Sequence, residues 1–324
     1  MSTNLHKPEI HPDLQEMQNF LSAGGPRFNL VDDLDKARDA FNFKVETVIQ
    51  GYEETVSHED TDIPGLTGPM KATILRPKHQ KHTTAEETPG ILHIHGGGHC
   101  MGSRFFGVTA VLPCITALGA VCVTAEYRLT PEHSQPAQLD DTYAALAWMS
   151  AHAQKLGFNP RKLIIYGGSA GGNLAAGVSL LARDRAGPPV LGQVLVYPWL
   201  DDSNESLSMK QCADLQPWTR QKAIVACDWA FGKNCEHVSG YTVPSHATDL
   251  EGLPPAYIDV GTADLFRDES VDFAAALLRC GVSVELHLWP GCWHGFDLMV
   301  PNAAIARRAV AARIEWLQDL LSRS

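Results

Sequence analysis

A lone hydroxyl sits among glycines in Gly167-Gly168-Ser169-Ala170-Gly171, where the apolar run LIIY gives way to a helix-forming stretch. This is a GxSxG pattern. A serine held on a sharp strand-to-helix turn projects its hydroxyl upward, and larger side chains two positions to either side would strike the neighbouring strand or helix. The helix behind it also aims unbonded N–H groups and the positive end of its dipole at the same point. The plainer reading is a glycine-rich turn whose serine only caps the helix. No GxGxxG and no following GK[ST] accompany it, which argues against a phosphate-binding loop.

A serine hydroxyl is a poor nucleophile at neutral pH and needs a base held in place by a carboxylate. Asp264 follows the apolar segment AYIDVG, and His294 lies in PGCWHGF after SVELHLW. Asp259 falls inside its segment and points into sheet or helix, and Asp268 opens a helix, where an acid suits the dipole. His287 lies within the last apolar segment. Asp264 and His294 therefore complete the set with Ser169, in the chain order Ser, Asp, His.

Attack on a carbonyl builds negative charge on its oxygen, which fixed backbone N–H groups stabilise by several kcal/mol. HIHGGGHCMGS at 93–103 supplies glycines that let the main chain come close. Gly97 and Gly98, with the N–H of Ala170 after the serine, are the expected oxyanion donors. A metal cluster of His93, His95 and His99, with Cys100, is the competing reading. No acid lies in the stretch, His95 suits a loop anchor bonded to backbone, and a metal would duplicate the triad, so no metal and no cofactor is expected.

These residues need a scaffold that brings strand ends together. Residues 1–42 are polar and helix-prone, with an amphipathic turn or two in NLVDDLDKARDAF, and read as a lid or wrap over a catalytic domain at 43–324. FKVETVIQGYEETVSH and MKATILRP alternate as two half-buried antiparallel strands, with DIPGLTGP as the turn between them. From residue 90 strands and helices alternate: GILHIHG, a helix at about 107–118, AVCVTAEY, a helix from Pro136 to Leu156, KLIIYG, NLAAGVSLLARDR, QVLVYP, AYIDVG, DESVDFAAALLRCG, SVELHLW and a last helix near 302–321. This order predicts a mainly parallel, twisted sheet covered on both faces, an α/β fold. Residues 200–247 interrupt the rhythm and are too long for a plain connection, so they are expected to form part of a cap. Ligands of open α/β sheets gather beyond the carboxyl ends of the strands, where all the singled-out residues fall.

With 324 residues and 44% apolar content the chain supports a large core, and 26 basic against 37 acidic residues, a net charge of −11, make nucleic acid an unfavourable partner. Residues 1–20 hold no continuous apolar stretch and no run approaches a membrane span, so a cytoplasmic protein is expected. The eight cysteines, 100, 114, 122, 212, 227, 235, 280 and 292, contain no CxxC pair and read as free, mostly buried thiols. Trp199, Trp218, Trp293, Phe105 and Phe106 lie in or near segments approaching the cleft and suggest an apolar or aromatic ligand. SVELHLW is expected at the sheet edge.

With HGGG, GGSAGG, Asp264 and His294 in this order, the chain resembles the hormone-sensitive-lipase-like branch of the α/β-hydrolases. Glu126-Tyr127-Arg128-Leu129 with Pro131-Glu132-His133, the segment LEGLPPAYIDVGTADLFRDE, Tyr197-Pro198 and His294-Gly295-Phe296 extend the resemblance over roughly residues 70–320. It implies a serine carboxylesterase with an eight-stranded sheet, a cap built from the N-terminal segment and the 200–247 insertion, a small-molecule ester and water as reactants, and room for a homodimer through the edge strand. Gly168 departs from the family, which carries an acid before the serine. Hydrolysis of amides, formamides or lactones would use the same groups and differ only in leaving group. A non-catalytic small-molecule receptor on this fold would be expected to have lost a triad member, and none is missing.

Overall fold

The computed structural model of the chain describes residues 5–24, 29–79, 81–82, 84–233 and 238–324. Its strands are β1 (Val56–Gly65), β2 (Gly68–Pro77), β3 (Gly90–Ile94), β4 (Val121–Ala125), β5 (Leu163–Gly168), β6 (Gly192–Val196), β7 (Ala256–Gly261) and β8 (Val284–Trp289). The α-helices are α1 (Pro12–Ala23), α2 (Leu34–Phe41), α3 (Val45–Val48), α4 (Val108–Leu118), α5 (Ala137–Ala151), α6 (Ala153–Leu156), α7 (Ala170–Asp184), α8 (Leu207–Gln211), α9 (Arg220–Phe231), α10 (Arg267–Arg279), α11 (Phe296–Met299) and α12 (Ala304–Ser322).

One eight-stranded sheet runs β1-β2-β4-β3-β5-β6-β7-β8. β1 pairs antiparallel with β2, and β2 antiparallel with β4, while every pairing from β4 to β8 is parallel. The expected fold class is the observed one, and SVELHLW does form an edge strand. Side chains alternate across a strand, so each strand of the buried centre feeds two cores. Leu92, Ile94, Ile165 and Leu195 pack with Leu146, Leu174 and Phe273 on the face covered by α5, α7 and α10. Ile91, Ile164, Tyr166 and Val194 pack with Val111, Ile115 and Leu317 on the face covered by α4 and α12.

The reading of 43–58 as one strand is corrected. Val45, Val48 and Ile49 bury together in the second of these clusters, a three-and-four spacing that suits the helical turn α3, and β1 begins only at Val56. DIPG is likewise strand rather than turn, since Ile63 pairs with Met70 and Gly65 with Gly68, leaving Leu66 and Thr67 as the hairpin tip. Pro64 is tolerated there because β1 is an edge strand, with no neighbour awaiting its missing N–H. The helix expected from Pro136 to Leu156 is divided at His152 into α5 and α6.

A third apolar cluster lies above the strand ends. Leu30 and Ala37 of the N-terminal segment meet Met209, Trp218 and Ala223 of the 200–247 segment, together with Met101 and Ala170. A fourth cluster joins Leu14 and Leu21 of α1 to Trp293, Phe296 and Ile305. Cys100, Cys114, Cys122, Cys212 and Cys292 are buried and free, Cys227 is buried, Cys280 is partly exposed and free, and Cys235 lies outside the described residues. Among the described residues no helix is long and apolar enough to cross a membrane.

Candidate active site

Ser169 stands between β5 and α7 with φ 58 and ψ −122, a conformation that L-residues adopt only under constraint. The surroundings impose it. The Ser169 N–H donates to Val196 O at 2.9 Å, and its carbonyl accepts from Asn173 N and Trp199 N, both at 3.1 Å. The side chain makes no capping bond to α7, which removes the reading of Ser169 as a helix cap.

The hydroxyl instead meets His294. Nε2 of His294 lies 2.9 Å from Ser169 Oγ, and Nδ1 lies 2.9 Å from Asp264 Oδ2. A carboxylate only accepts, so the Asp264 bond places the ring proton on Nδ1 and leaves Nε2 as the acceptor facing the hydroxyl. Asp264 is fully buried, and its other oxygen accepts from Phe266 N at 2.9 Å, so both of its oxygens are held. The loops carrying the acid and the imidazole are tied together, with Ala263 N donating to Cys292 O at 3.0 Å and Thr262 N to Trp289 O at 2.9 Å. Tyr197 and Phe266 pack edge-on against the imidazole at 4.8 and 5.0 Å. The sequence-predicted Ser169, Asp264 and His294, separated by up to 125 residues, thus meet in one hydrogen-bonded chain.

The rejected candidates occupy other roles. Asp259 is buried and accepts from Arg313 Nε at 2.8 Å and Trp289 Nε1 at 3.1 Å. Asp268 accepts from Ser208 N at 2.7 Å in the first turn of α10. His287 bonds Glu285 at 2.8 Å on the edge strand.

Gly97 and Gly98 lie in the loop after β3 with φ 108 and 61. A Cβ at Gly97 would fall 2.0 Å from Met101 O and one at Gly98 2.3 Å from Trp218 Cη2, so only glycine fits either place. Among the described residues their N–H groups have no acceptor. The loop is held against the serine, since a Cβ on Gly96 would come within 2.9 Å of Gly168 O and 3.4 Å of Ser169 Cβ. It is anchored by Tyr127 Oη to His95 O at 2.8 Å, by Thr130 N to His99 O at 2.9 Å and by Arg38 Nε of α2 to Cys100 O at 2.9 Å. His95 donates from Nδ1 to Gly96 O at 2.8 Å, the loop-anchor role expected of it, and His93 bonds Thr124 Oγ1 at 3.0 Å. Burial pushes His93 and His99 down to about 3, so both rings are neutral.

A cavity of about 400 Å³ opens above Ser169, its walls almost wholly apolar. Met17, Phe20 and Leu21 of α1, Phe41 of α2, and Pro217 and Trp218 of the 200–247 segment contribute to it. Of the aromatic residues expected near the cleft, Phe106 and Trp218 line it, whereas Trp199, Trp293 and Phe105 are buried in packing elsewhere. Tyr197, which the sequence marked only through the Tyr197-Pro198 resemblance and not as a site residue, lines the cavity at φ 35 and donates from its hydroxyl to Asp297 at 3.0 Å. Sequence reasoning missed the fully buried Arg313, whose guanidinium joins Asp259 to Asp297 at 2.8 and 2.5 Å. The only signal for Arg313 was a cation among the alanines of the last helix.

An α/β sheet carrying a serine elbow, an imidazole, a buried carboxylate and a glycine loop beneath an apolar cavity defines the class. The model of the alpha/beta hydrolase fold family matches residues 91–298, and the chain belongs to that family, in its hormone-sensitive-lipase-like branch. Carboxylesterase NlhH of Mycobacterium tuberculosis is 35% identical over 241 residues, covering 70% of this chain and 73% of that protein. Esterase LipI of the same organism is 31% identical over 315 residues, 95% of this chain and 96% of its own. Among solved structures, a bacterial heroin esterase superposes with a TM-score of 0.84 at 34% identity, over 96% of this chain and 98% of the other. A hyperthermophilic esterase from the archaeon Pyrobaculum calidifontis gives 0.87 at 30% identity, over 96% and 99%. The chain is an ester-hydrolysing enzyme on this fold.

Proposed function

We propose that the chain is a serine carboxylesterase working through an acyl-enzyme on Ser169, a reading carried by the 2.9 Å contacts that link Asp264, His294 and Ser169. Ser169 Oγ attacks the ester carbonyl carbon while its proton passes to His294 Nε2. Asp264 holds the Nδ1 proton and steadies the imidazolium. The oxyanion is received by the N–H groups of Gly97, Gly98 and Ala170. As the C–O bond to the alcohol breaks, His294 protonates the departing oxygen. Water then attacks the acyl-serine, giving a proton to His294, and the acid leaves with Ser169 restored. No cofactor or metal enters these steps.

The apolar cavity supports small to medium apolar or aromatic esters as substrates, its volume falling within the range usual for small-molecule sites. Residues 1–42 and 200–247 act in this reading as one cap over the 43–324 catalytic domain, supported by the apolar contacts that join the two segments. The edge of β8, with Leu288 exposed, supports a homodimer through that strand, which light scattering of the eluted protein would test. The net charge of −11 opposes nucleic-acid binding.

Turnover of a short p-nitrophenyl ester by Ser169→Ala tests the assignment. The variant is expected to keep the fold and lose nearly all activity, and full activity would refute it. Lactones and anilides assayed beside esters would separate the subclasses that share these groups.

A further inference from the structure

Among the small residues of the serine corner, Gly168 is set apart because the backbone does not demand it. A Cβ at Gly167 would lie 2.1 Å from Gly171 O, and one at Gly171 2.1 Å from Ile94 O, so those positions must be bare. At Gly168 the nearest atoms would be Tyr197 Cε2 at 3.5 Å and Val196 O at 3.8 Å, ordinary contact distances. Its φ is not left-handed, so an L side chain is sterically allowed. Gly168 is nevertheless a wall of the cavity, and a side chain there would occupy cavity space.

Strand alternation puts position 168 on the same face as Tyr166, the face covered by α4. The cavity continues down that face. His93, Tyr166 and Val196, from the adjacent strands β3, β5 and β6, line it with Phe106 and with Ala110 of α4. Tyr166 lies two residues, about 7 Å, behind Gly168 along the strand. Of the polar groups there, His93 Nδ1 is bonded to Thr124 Oγ1 and the Tyr166 hydroxyl accepts from Arg313 at 3.4 Å. Burial keeps both rings uncharged, lowering His93 to about 3 and raising Tyr166.

We propose that Gly168 is a specificity-determining residue, whose missing side chain keeps open an arm of the cavity along the α4 face that receives an uncharged, apolar chain of the ester. The inference rests on Ser169 being the nucleophile, and it selects esters with one chain longer or bulkier than acetyl over acetates.

The test is the ratio of kcat/KM for long and short members of two ester series, one varying the acyl chain from acetyl to octanoyl and one varying the alcohol. Gly168→Leu is expected to lower the long-to-short ratio at least tenfold in one series, with Gly168→Ala intermediate. Ala110→Leu narrows the arm from the opposite wall without touching the serine turn, and is expected to shift the same series in the same direction. A uniform loss on all esters in Gly168→Leu would mean damage to the turn, and Ala110→Leu then decides. Unchanged ratios in Ala110→Leu and either Gly168 variant overturn the proposal. A wrong nucleophile would show separately, as turnover retained by Ser169→Ala whatever the ratios.

Discussion

Arg313→Met should destabilise the enzyme out of proportion to one surface-invisible residue midway along the last helix. Arg313, Asp259 and Asp297 are all fully or almost fully buried, and the guanidinium is the cation between the two acids. Burial alone would lower the Arg313 value, but Asp259, Tyr166 and Asp297 more than reverse this, so the guanidinium stays charged. Methionine restores apolar packing of similar volume, yet it leaves two carboxylates in the core with no counter-charge. Removing one partner of a buried ion pair costs about 3–5 kcal/mol, which exceeds what the added apolar contact returns. Unfolding entropy scales as about 2.1 cal/mol/K per residue, or about 0.7 kcal/mol/K for a chain of this length, so the melting temperature should fall by about 4–7 °C. Burial already holds the Asp259 carboxyl above its ordinary value against the pull of Arg313. Without the cation it rises further, so the deficit should widen as pH increases, because a raised carboxyl is stabilising only while protonated. The triple variant Arg313→Met, Asp259→Asn, Asp297→Asn removes all three charges and should recover at least half of the loss. Scanning calorimetry at acid and alkaline pH measures both effects. A single variant melting within about 1 °C of the parent, or a triple variant less stable than the single one, would refute the reasoning.

Two further outcomes follow from the geometry. Burial raises the Glu269 carboxyl well above its ordinary value of 4.5, opposed by the N–H groups of Leu200 and Asp201 that it accepts from. Its folded value exceeds the unfolded one, so its contribution is complete in acid and is lost as pH rises. Glu269→Gln should flatten the fall of melting temperature between acid and alkaline pH, whereas parallel melting curves would contradict the sign. Arg38 joins α2 to the glycine loop after β3 through Cys100 O at 2.9 Å and to the segment after β4 through Thr130 O at 2.8 Å, and half-exposed Glu132 adds less. Arg38→Ala should cost about 1–3 kcal/mol in thermal unfolding and raise KM more than it lowers kcat, and an unchanged KM would detach α2 from the site.

What was legible in the sequence was whatever depends on local sterics. Gly167 and Gly171 around Ser169 and the glycines at 96–98 declare a backbone that must turn or approach closely, and the loops after AYIDVG and SVELHLW offered the acid and the imidazole. Alternation of short apolar strands with helices sufficed for the sheet. The errors arose where burial, not local pattern, decides. Val45 and Ile49 fit one face of a strand as well as a helix, and it is the burial of Val48 with them beside α4 that selects the helical turn. Arg313 could be read only through its partners, which come from β7 and α11. Which aromatics face the cleft depended on how the chain packs around residues 199–218, so Trp218 lines it while Trp199 is packed away.

The most direct measurement is mass spectrometry of the protein quenched in acid during turnover of a slowly deacylating ester, with the modified residue located by peptide sequencing. The account predicts one acyl group, on Ser169, and none in Ser169→Ala. Steady hydrolysis with the acyl group on another residue, or with no acylated protein under conditions where release of the alcohol outruns release of the acid, would contradict it.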